Sequence, residues 1–387
     1  MTRGPDPSSA RELDDASQPH PGAARVGPRL RLARQARGFS QQQLAGMAGV
    51  SRQAVSAVES GLSDPSLRVA LALSRALGIT VEELFGPATP EPVVAVRAVA
   101  PLGGPGTRVS LAPVGDSFVA LPLSGATVTR AGFEPAGGRV TDADDVVPIG
   151  PPRPTLVVAG CDPALPLLEL PLSLLEPPVS FLWWPCTSQE ALSLAKEGLV
   201  HAAGAHLRGS AGDYNTGPAA DFLPAGAEVI GFCSWREGLV LRPGLASTVA
   251  DVGDVAAAGL RLVNREAGAE ARRVLDRELA RHSISPEGLA GYQTQATGHL
   301  EVAAAIAAGL ADAGVASEPA ALAYELAFVP LTEERFDLVV PAAQAASREV
   351  QGLLRALSSP WLHAQLASLP GYSVTQCGER LATVPPA

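Results

Sequence analysis

The sequence predicts a multidomain chain: an all-α module of five helices near the N-terminus, a short β-rich connector, and a larger two-lobed α/β region. Three observations predict this. Residues 38–61, GFSQQQLAGMAGVSRQAVSAVESG, place two helical apolar repeats around a glycine turn. From residue 155 onward, short apolar runs alternate with helical repeats. A length of 387 residues at 47% apolar content exceeds one small helical module several-fold and fills at least one further core.

Residues 1–24 are rich in Pro, Ser, Asp and Gly and read as a disordered leader. Leu30, Leu32, Ala33 and Ala36 predict a first helix over about 28–37. Leu44, Ala45, Met47, Ala48, Val50, Val55 and Val58 then recur at helical spacing and can converge on one small core. Ser40 and Ser51 stand where a hydroxyl caps exposed N–H groups, and Gly49 supplies the positive φ of a sharp turn. Val69, Leu71, Leu73, Leu77, Val81 and Leu84 predict two closing helices, which completes a domain over 25–86. This spacing lays the third helix into the major groove of DNA. There Ser51, Arg52, Gln53 and Ser56 face outward, and Arg and Gln carry the forked donors that read guanine and adenine edges. The competing reading is a solvated polar face on a protein-binding helix.

Charge favours DNA. The chain carries −10 overall, yet residues 25–86 hold eight Arg against four acidic residues, a +4 island in a remainder of −14. Lys196 is the only lysine, so arginine does nearly all the cationic work. The segment resembles the Cro and phage-repressor (XRE-like) helix-turn-helix over roughly sixty residues, including SDPSLRVALALSRALGITVEELF at 63–85. The resemblance implies a structural Arg34–Glu59 ion pair and a Gln41 that contacts phosphate and base.

In the connector, 87–154, the runs VVAVRAV, RVSLAPV and SFVALPL are broken by Gly and Pro and predict strands, either a small β subdomain or an extended link. The GGPG at 103–106 lies between strands and reads as a turn. From 155 on, TLVVAG, VSFLWW, LVHAAGAHL, EVIGFCSWREGLVLRPG and RLVNRE read as strands. TSQEALSLAKEG, AGAEARRVLDRELARH and EVAAAIAAGLADAGVA read as helices, with LAFVPLTEERFDLVV extending the pattern. Such alternation implies a largely parallel sheet with ligands at the carboxyl ends of its strands.

Seven blocks then carry a second resemblance: AGCDPAL (159–165), TSQEALSLAKEGLVHAAGAHL (187–207), DYN (213–215), WREGLVL (235–241), NREAGAEARRVLD (264–276), GYQTQATGHLEVAAAIAAGLADAGVA (291–316) and FVPLTEERFDLVV (328–340). Together they resemble the periplasmic-binding-protein-like domain found fused to helix-turn-helix modules in regulators. The resemblance implies a ligand domain over 155–365, with lobe one about 155–241 and 328–365, lobe two about 242–327, and a C-terminal tail over 366–387. It also implies a small-molecule effector, often inferred to be molybdate or a similar oxyanion. Where the family has Gly-Ser-Gly-Thr-Arg, this chain has Gly268, Ala269, Glu270, Ala271 and Arg272, which adds a carboxylate.

Helix N-termini present unpaired N–H groups, so Thr187-Ser188 and Ala267-Gly268 are candidate anion cradles, with Arg265 and Arg272 adding charge-assisted bonds. Thr187 and Ser188 serve equally well as a plain N-cap. Asp162 and Glu270 oppose an anion and favour a ligand bearing a cation or hydroxyls, unless Asp162 pairs with Arg236 and Glu270 with Arg265. Cys161 beside Asp162, Tyr214 and Asn215 in a Gly- and Asp-rich loop, and Thr297 with His299 at a helix start complete the candidate ligand set. His201 and His206, five apart on a strand, point to opposite faces, so no joint metal site is expected. Nor is any cofactor expected beyond a bound oxyanion.

The four cysteines form no CxxC pair and read as reduced thiols. No apolar run approaches eighteen residues, and residues 1–22 lack an apolar signal core. GxSxG, P-loop and HExxH motifs do not occur. The expectation is therefore a cytoplasmic, non-enzymatic, homodimeric regulator without a membrane partner, which reads a double-stranded DNA operator in response to an effector. The alternatives are a C-terminal domain occluded for assembly and, behind that, a small-molecule enzyme.

Overall fold

The computed structural model describes residues 26–85, 93–125, 133–141, 145–209 and 214–387. The expected leader lies outside the described residues, as do 87–92, 126–132 and 142–144 of the connector and Asp213 of the 213–215 block. The chain divides after Pro92 into two units.

The first unit is five helices: α1 Val26–Ala36, α2 Gln41–Ala48, α3 Arg52–Glu59, α4 Leu67–Leu77 and α5 Val81–Phe85. Ser40 Oγ accepts from Gln43 N–H while the Gln43 side chain accepts from Ser40 N–H, a reciprocal cap that fixes where α2 starts. Gly49 ends it at φ 65°, and Ser51 Oγ accepts from Ala54 N–H to start α3. The core joins Leu30, Leu44, Ala45, Val55, Val58, Leu73, Leu77 and Leu84. Met47 and Leu71, expected inside, are 55% and 40% exposed. At about 100° per residue, the arc of Leu44, Ala45 and Ala48 leaves Met47 on its flank, and Ala70, Leu73, Ser74 and Leu77 do the same to Leu71.

The second unit opens with β1 Val96–Ala98, β2 Arg108–Val114, β3 Ser117–Pro122, β4 Gly138–Val140 and β5 Val146–Pro148, in the order β1-β3-β2-β4-β5. A Val94–Val146 bridge joins the two edges of this sheet, so the connector is a closed subdomain and not an extended link. Gly115 at φ 57° makes the tight β2–β3 turn. Its outer valines and leucines, among them Val114, Val119 and Leu121, continue the core of the following domain.

The large sheet contains β6 Thr155–Ala159, β7 Ser180–Trp184, β8 Ala202–Ala205, β9 Ala227–Leu241, β10 Leu262–Arg265, β11 Gln295–Ala296, β12 Ala313–Ser317, β13 Ala327–Pro341 and β14 Arg380–Val384. Its order is β11-β10-β12-β9-β13-β8-β6-β7, with β14 on β9. β6, β7 and β8 run parallel in lobe one, as do β10, β11 and β12 in lobe two. The fifteen-residue strands β9 and β13 pair antiparallel from end to end and serve both lobes. One end of β13 pairs with β8, and the opposite end of β9 pairs with β12.

Three expectations change. The lobes meet inside β9 and β13, not at 241/242 and 327/328, because a strand paired along its whole length continues through both. The helix expected over 301–316 stops at Ala307, with Gly309 at φ 73° just beyond. Its remainder forms the fully buried strand β12, where small side chains suit a sheet covered on both faces. The expected tail also contributes β14, whose pairing with β9 satisfies that strand's other edge.

Among the described residues no helix is long and apolar enough to cross a membrane. His201 is buried, accepts from Val157 N–H at 3.0 Å, and is pushed by burial down to about 4. Its folded pKa lies below the ordinary value near 6.5, so its contribution to stability is complete above that value and falls as pH drops toward 4. Urea denaturation at pH 7.5 and pH 5 should show the native chain losing about 2 kcal/mol more than His201→Gln, whose amide oxygen can accept the same bond without titrating. Equal losses in the two proteins would exclude this assignment.

Candidate functional site

The first candidate surface is the exposed side of α3. Ser51, Arg52, Gln53 and Ser56 are all solvent-exposed there. What holds this face rigid lies beneath it: Arg34 Nε donates to Glu59 Oε1 at 2.6 Å and Nη2 to Oε2 at 3.1 Å, a bidentate buried pair joining α1 to α3. Arg34 Nη1 also donates to the carbonyl oxygen of Phe39 at 2.7 Å. Gln41 Nε2 donates to Glu59 Oε2 at 2.9 Å, which leaves one amide N–H and the side-chain oxygen free to face a phosphate or base. The Arg34 and Gln41 bonds hold the Glu59 carboxyl below its ordinary range against the opposing effect of burial, the largest single influence.

The second candidate site lies between the lobes. A cavity of about 370 Å3 takes Cys161, Trp183 and Cys186 from lobe one and Arg265, Thr297 and His299 from lobe two. Four of the expected ligand residues, Cys161, Arg265, Thr297 and His299, therefore come together. Across the cleft the two helix N-termini face each other, since a Cβ on Gly268 would lie 3.5 Å from Thr187 Oγ1.

Most other expected contacts are committed within the protein. Asp162 is fully buried, accepting from Ala164 N–H and Tyr372 O–H through Oδ1 and from Cys233 Sγ through Oδ2. Arg236 pairs with Glu318, and Arg265 with Glu266 at 2.8 and 2.9 Å. Glu270 pairs with Arg273 and Arg277 at 3.3 and 2.8 Å. The expected Asp162–Arg236 and Glu270–Arg265 pairs are thus replaced by nearer partners. Thr187 caps its helix through Glu190 N–H, and Ser188 Oγ accepts from His206 N–H. Buried Glu270 itself places negative charge in the first turn that follows Gly268 and Ala269, so this helix end already has its anion. Asn215, at φ 62°, accepts from Leu207 N–H and donates to Asp337. Tyr214 O–H donates to the carbonyl oxygen of Glu333, and Arg272 bonds the Arg265 carbonyl oxygen while lying over the Tyr292 ring.

The residues missed are those at the middle of the crossing strands. Glu237 on β9 and Glu334 on β13 have fully buried side chains whose four carboxylate oxygens lack a hydrogen-bond partner among the described residues. His206 Nδ1, also orphaned, stands 3.8 Å from Glu334 Oε2 and 4.0 Å from Glu237 Oε2, while Arg208 Nε is 4.0 Å from Glu334 Oε1. Trp235 walls the group, its ring centroid 5.5 Å from that of His206 and 5.9 Å from that of His299. Burial, together with nearby Glu334 and Glu270, pushes the Glu237 carboxyl up to about 7. Burial drags His206 down, but Cys161, Glu334 and Glu237 carry it well above the ordinary imidazole range. His299 is pushed well below that range by burial, Arg265 and His206. Two donor sets have atoms within 4.8 Å of one another: Cys161, His206, His299 and His206, Glu237, Glu334. His201 shares neither set. The available signal was a charge inside an apolar strand, in WREGLVL and EERFDLVV.

A family described as helix-turn-helix matches residues 30–84, and one described as PBP superfamily domain matches residues 172–358. An HTH-type transcriptional regulator of Methanocaldococcus jannaschii is 37% identical over 57 residues, covering 15% of this chain and 86% of that protein. The chain belongs to the helix-turn-helix regulators. This regulator is also 30% identical over 144 residues to the protein YvgK of Bacillus subtilis, covering 37% of this chain and 46% of that protein, so it spans less than half of that relative's length. The crystal structure of a restriction-modification controller protein from Aeromonas hydrophila is similar at 43% identity over 16% of this chain and 96% of that one, with a TM-score of 0.16.

Because the Glu59 side chain is fully buried, removing its partner leaves an inadequately compensated charge. Arg34→Met should destabilise the bundle by about 3 kcal/mol. Amide hydrogen exchange over α2 and α3 in the full chain measures it; unchanged protection there would refute the pair's structural role.

Proposed function

We propose that this helix-turn-helix regulator reads a double-stranded DNA operator as a cytoplasmic homodimer and that its PBP-like domain senses a small effector between the lobes. The observation that carries the sensing half is the set of orphaned polar atoms at the hinge strands. Buried polar groups are hydrogen-bonded almost without exception, so a cluster of unpaired ones directly behind His299, which lines the cavity and lies 3.7 Å from Glu237, calls for a ligand. Four carboxylate oxygens favour an effector with positive charge or several donors. A bare oxyanion such as molybdate is left with Arg265, already paired with Glu266, and with helix ends whose donors or charge are met internally. The cavity also argues against the occluded assembly reading.

On the DNA side, Arg52 stands at the start of α3 with its guanidinium exposed. Arg52→Ala should weaken specific binding by about 1–3 kcal/mol and relax preference at one base pair. Gel-shift titration over operator variants measures it, and an intact preference would remove Arg52 from base reading.

Effector binding should change operator affinity by about 5–150-fold, the usual range of coupling between two sites. A thermal-shift panel of molybdate, tungstate, sulfate, small organic acids, amines and divalent metals identifies stabilising compounds, each then titrated in gel shifts. Operator affinity indifferent to every stabilising compound would overturn the regulatory reading.

A further inference from the structure

We propose that the mid-strand cluster of His206, Glu237 and Glu334 is a binding site for one divalent first-row transition-metal ion, held through His206 Nδ1 and both carboxylates. The three side chains come from different segments, the end of the β8 run, β9 and β13, and all are buried. Nδ1 faces Glu334 Oε2 at 3.8 Å and Glu237 Oε2 at 4.0 Å, distances too long for hydrogen bonds. Donors on one ion with bonds of about 2.0–2.2 Å lie roughly 3–3.5 Å apart, so with the three donor atoms within 4.8 Å of one another, side-chain shifts of about an ångström or less close the set. No protein atom among the described residues hydrogen-bonds any of these five donor atoms.

Charge points the same way. Arg208 is the nearest guanidinium to Glu334, at 4.0 Å and partly exposed, and Arg265 is occupied by Glu266. Protonated His206 answers only one of the two carboxylates, whereas one divalent ion balances both and takes the place of that proton on Nδ1. The mixed nitrogen and oxygen set suits Mn2+, Fe2+, Co2+ or Zn2+ over Ca2+, which prefers six or more oxygens.

The neighbouring set of Cys161, His206 and His299 is the weaker cage. His299 Nδ1 accepts from Ser317 N–H at 3.2 Å, which places the neutral ring's proton on Nε2 and removes that lone pair from coordination. With His206 bound through Nδ1, its other ring nitrogen carries the proton, and metal-bound histidines commonly hold that proton on an orienting partner; Cys161 is the sulfur within 4.8 Å of the His206 ring.

The site deepens the proposed sensing function and rests on it only for the consequence that occupancy alters operator affinity. Full-length protein stripped with EDTA is titrated calorimetrically with Mn2+ and separately with Zn2+, without DNA. One ion per chain is expected, with Glu237→Gln, Glu334→Gln and His206→Gln each weakening binding on the order of 100-fold, and with His201→Gln unchanged. No stoichiometric binding, or full affinity in both glutamine variants of the glutamates, would overturn the site. Should these variants fail to fold, spin-echo modulation of the Mn2+-loaded wild type still decides: coupling to one imidazole nitrogen is expected, and its absence overturns the assignment. Gel shifts of metal-loaded and stripped protein form a separate arm. Metal bound without any change in operator affinity supports the site and overturns the sensing role.

Discussion

The pairing of β9 with β13 constrains everything else in the larger unit. Fourteen consecutive backbone partners run from Ala227–Pro341 to Leu241–Ala327, interrupted only by register shifts between Pro330 and Thr332 and between Phe336 and Asp337. Each lobe is built by adding parallel strands to one end of this ribbon. The middle cannot be given up without separating the lobes, and it cannot be covered by a helix without filling the cleft. Side chains there are consequently imposed on a dry interior by a backbone whose own hydrogen bonds are already made. The two irregularities bracket Glu333, Glu334 and Arg335, and an extra residue in a ladder re-aims the side chains beside it. Between them the ladder is regular, so the alternation of a strand turns Glu334 inward while its neighbour Glu333 stays exposed.

Legibility in the sequence followed the range of the interaction involved. The five-helix module was readable because its determinants are local: Ser40 with Gln43, Gly49, Ser51 with Ala54, and apolar residues three and four apart. The strands of the second unit were readable from composition, but their ends were not. Whether 313–317 continues a helix or forms β12 depends on the pairing of Ala313 with both Leu262 and Leu241, far away in sequence. The polar pairs divide the same way. Glu270 with Arg273 and Arg265 with Glu266 are near neighbours along the chain, and near neighbours hold those charges before distant ones can. His206, Glu237 and Glu334 belong to different segments that only the folded sheet juxtaposes, so no window of the sequence contained the site. What it did contain was an anomaly, a carboxylate within an apolar run, whose meaning depends on burial.

The two units divide the electrostatic work. In the helical unit the charge that matters is exposed arginine above a satisfied buried pair, an arrangement suited to a polyanion because Glu59 is neutralised internally and does not repel phosphate. In the lobed unit the charge that matters is buried and unsatisfied. A satisfied buried network specifies a structure; an unsatisfied one specifies a structure that something else must complete.

That distinction gives the lobes a physical reason to move. Each unpaired buried polar group costs about 1–3 kcal/mol relative to the same group in water, and the cluster at His206, Glu237 and Glu334 contains several. Opening that exposed this cluster would hydrate these groups, and closing over it would strip the water away. Without a ligand that exchange opposes closure, so a ligand with a modest differential affinity for the closed arrangement would tip the balance. A core packed with leucine at those positions would close the lobes permanently and leave nothing for an effector to decide. The buried charges are therefore best understood as the element that makes closure conditional, with stability supplied by the apolar clusters on either side of the same two strands.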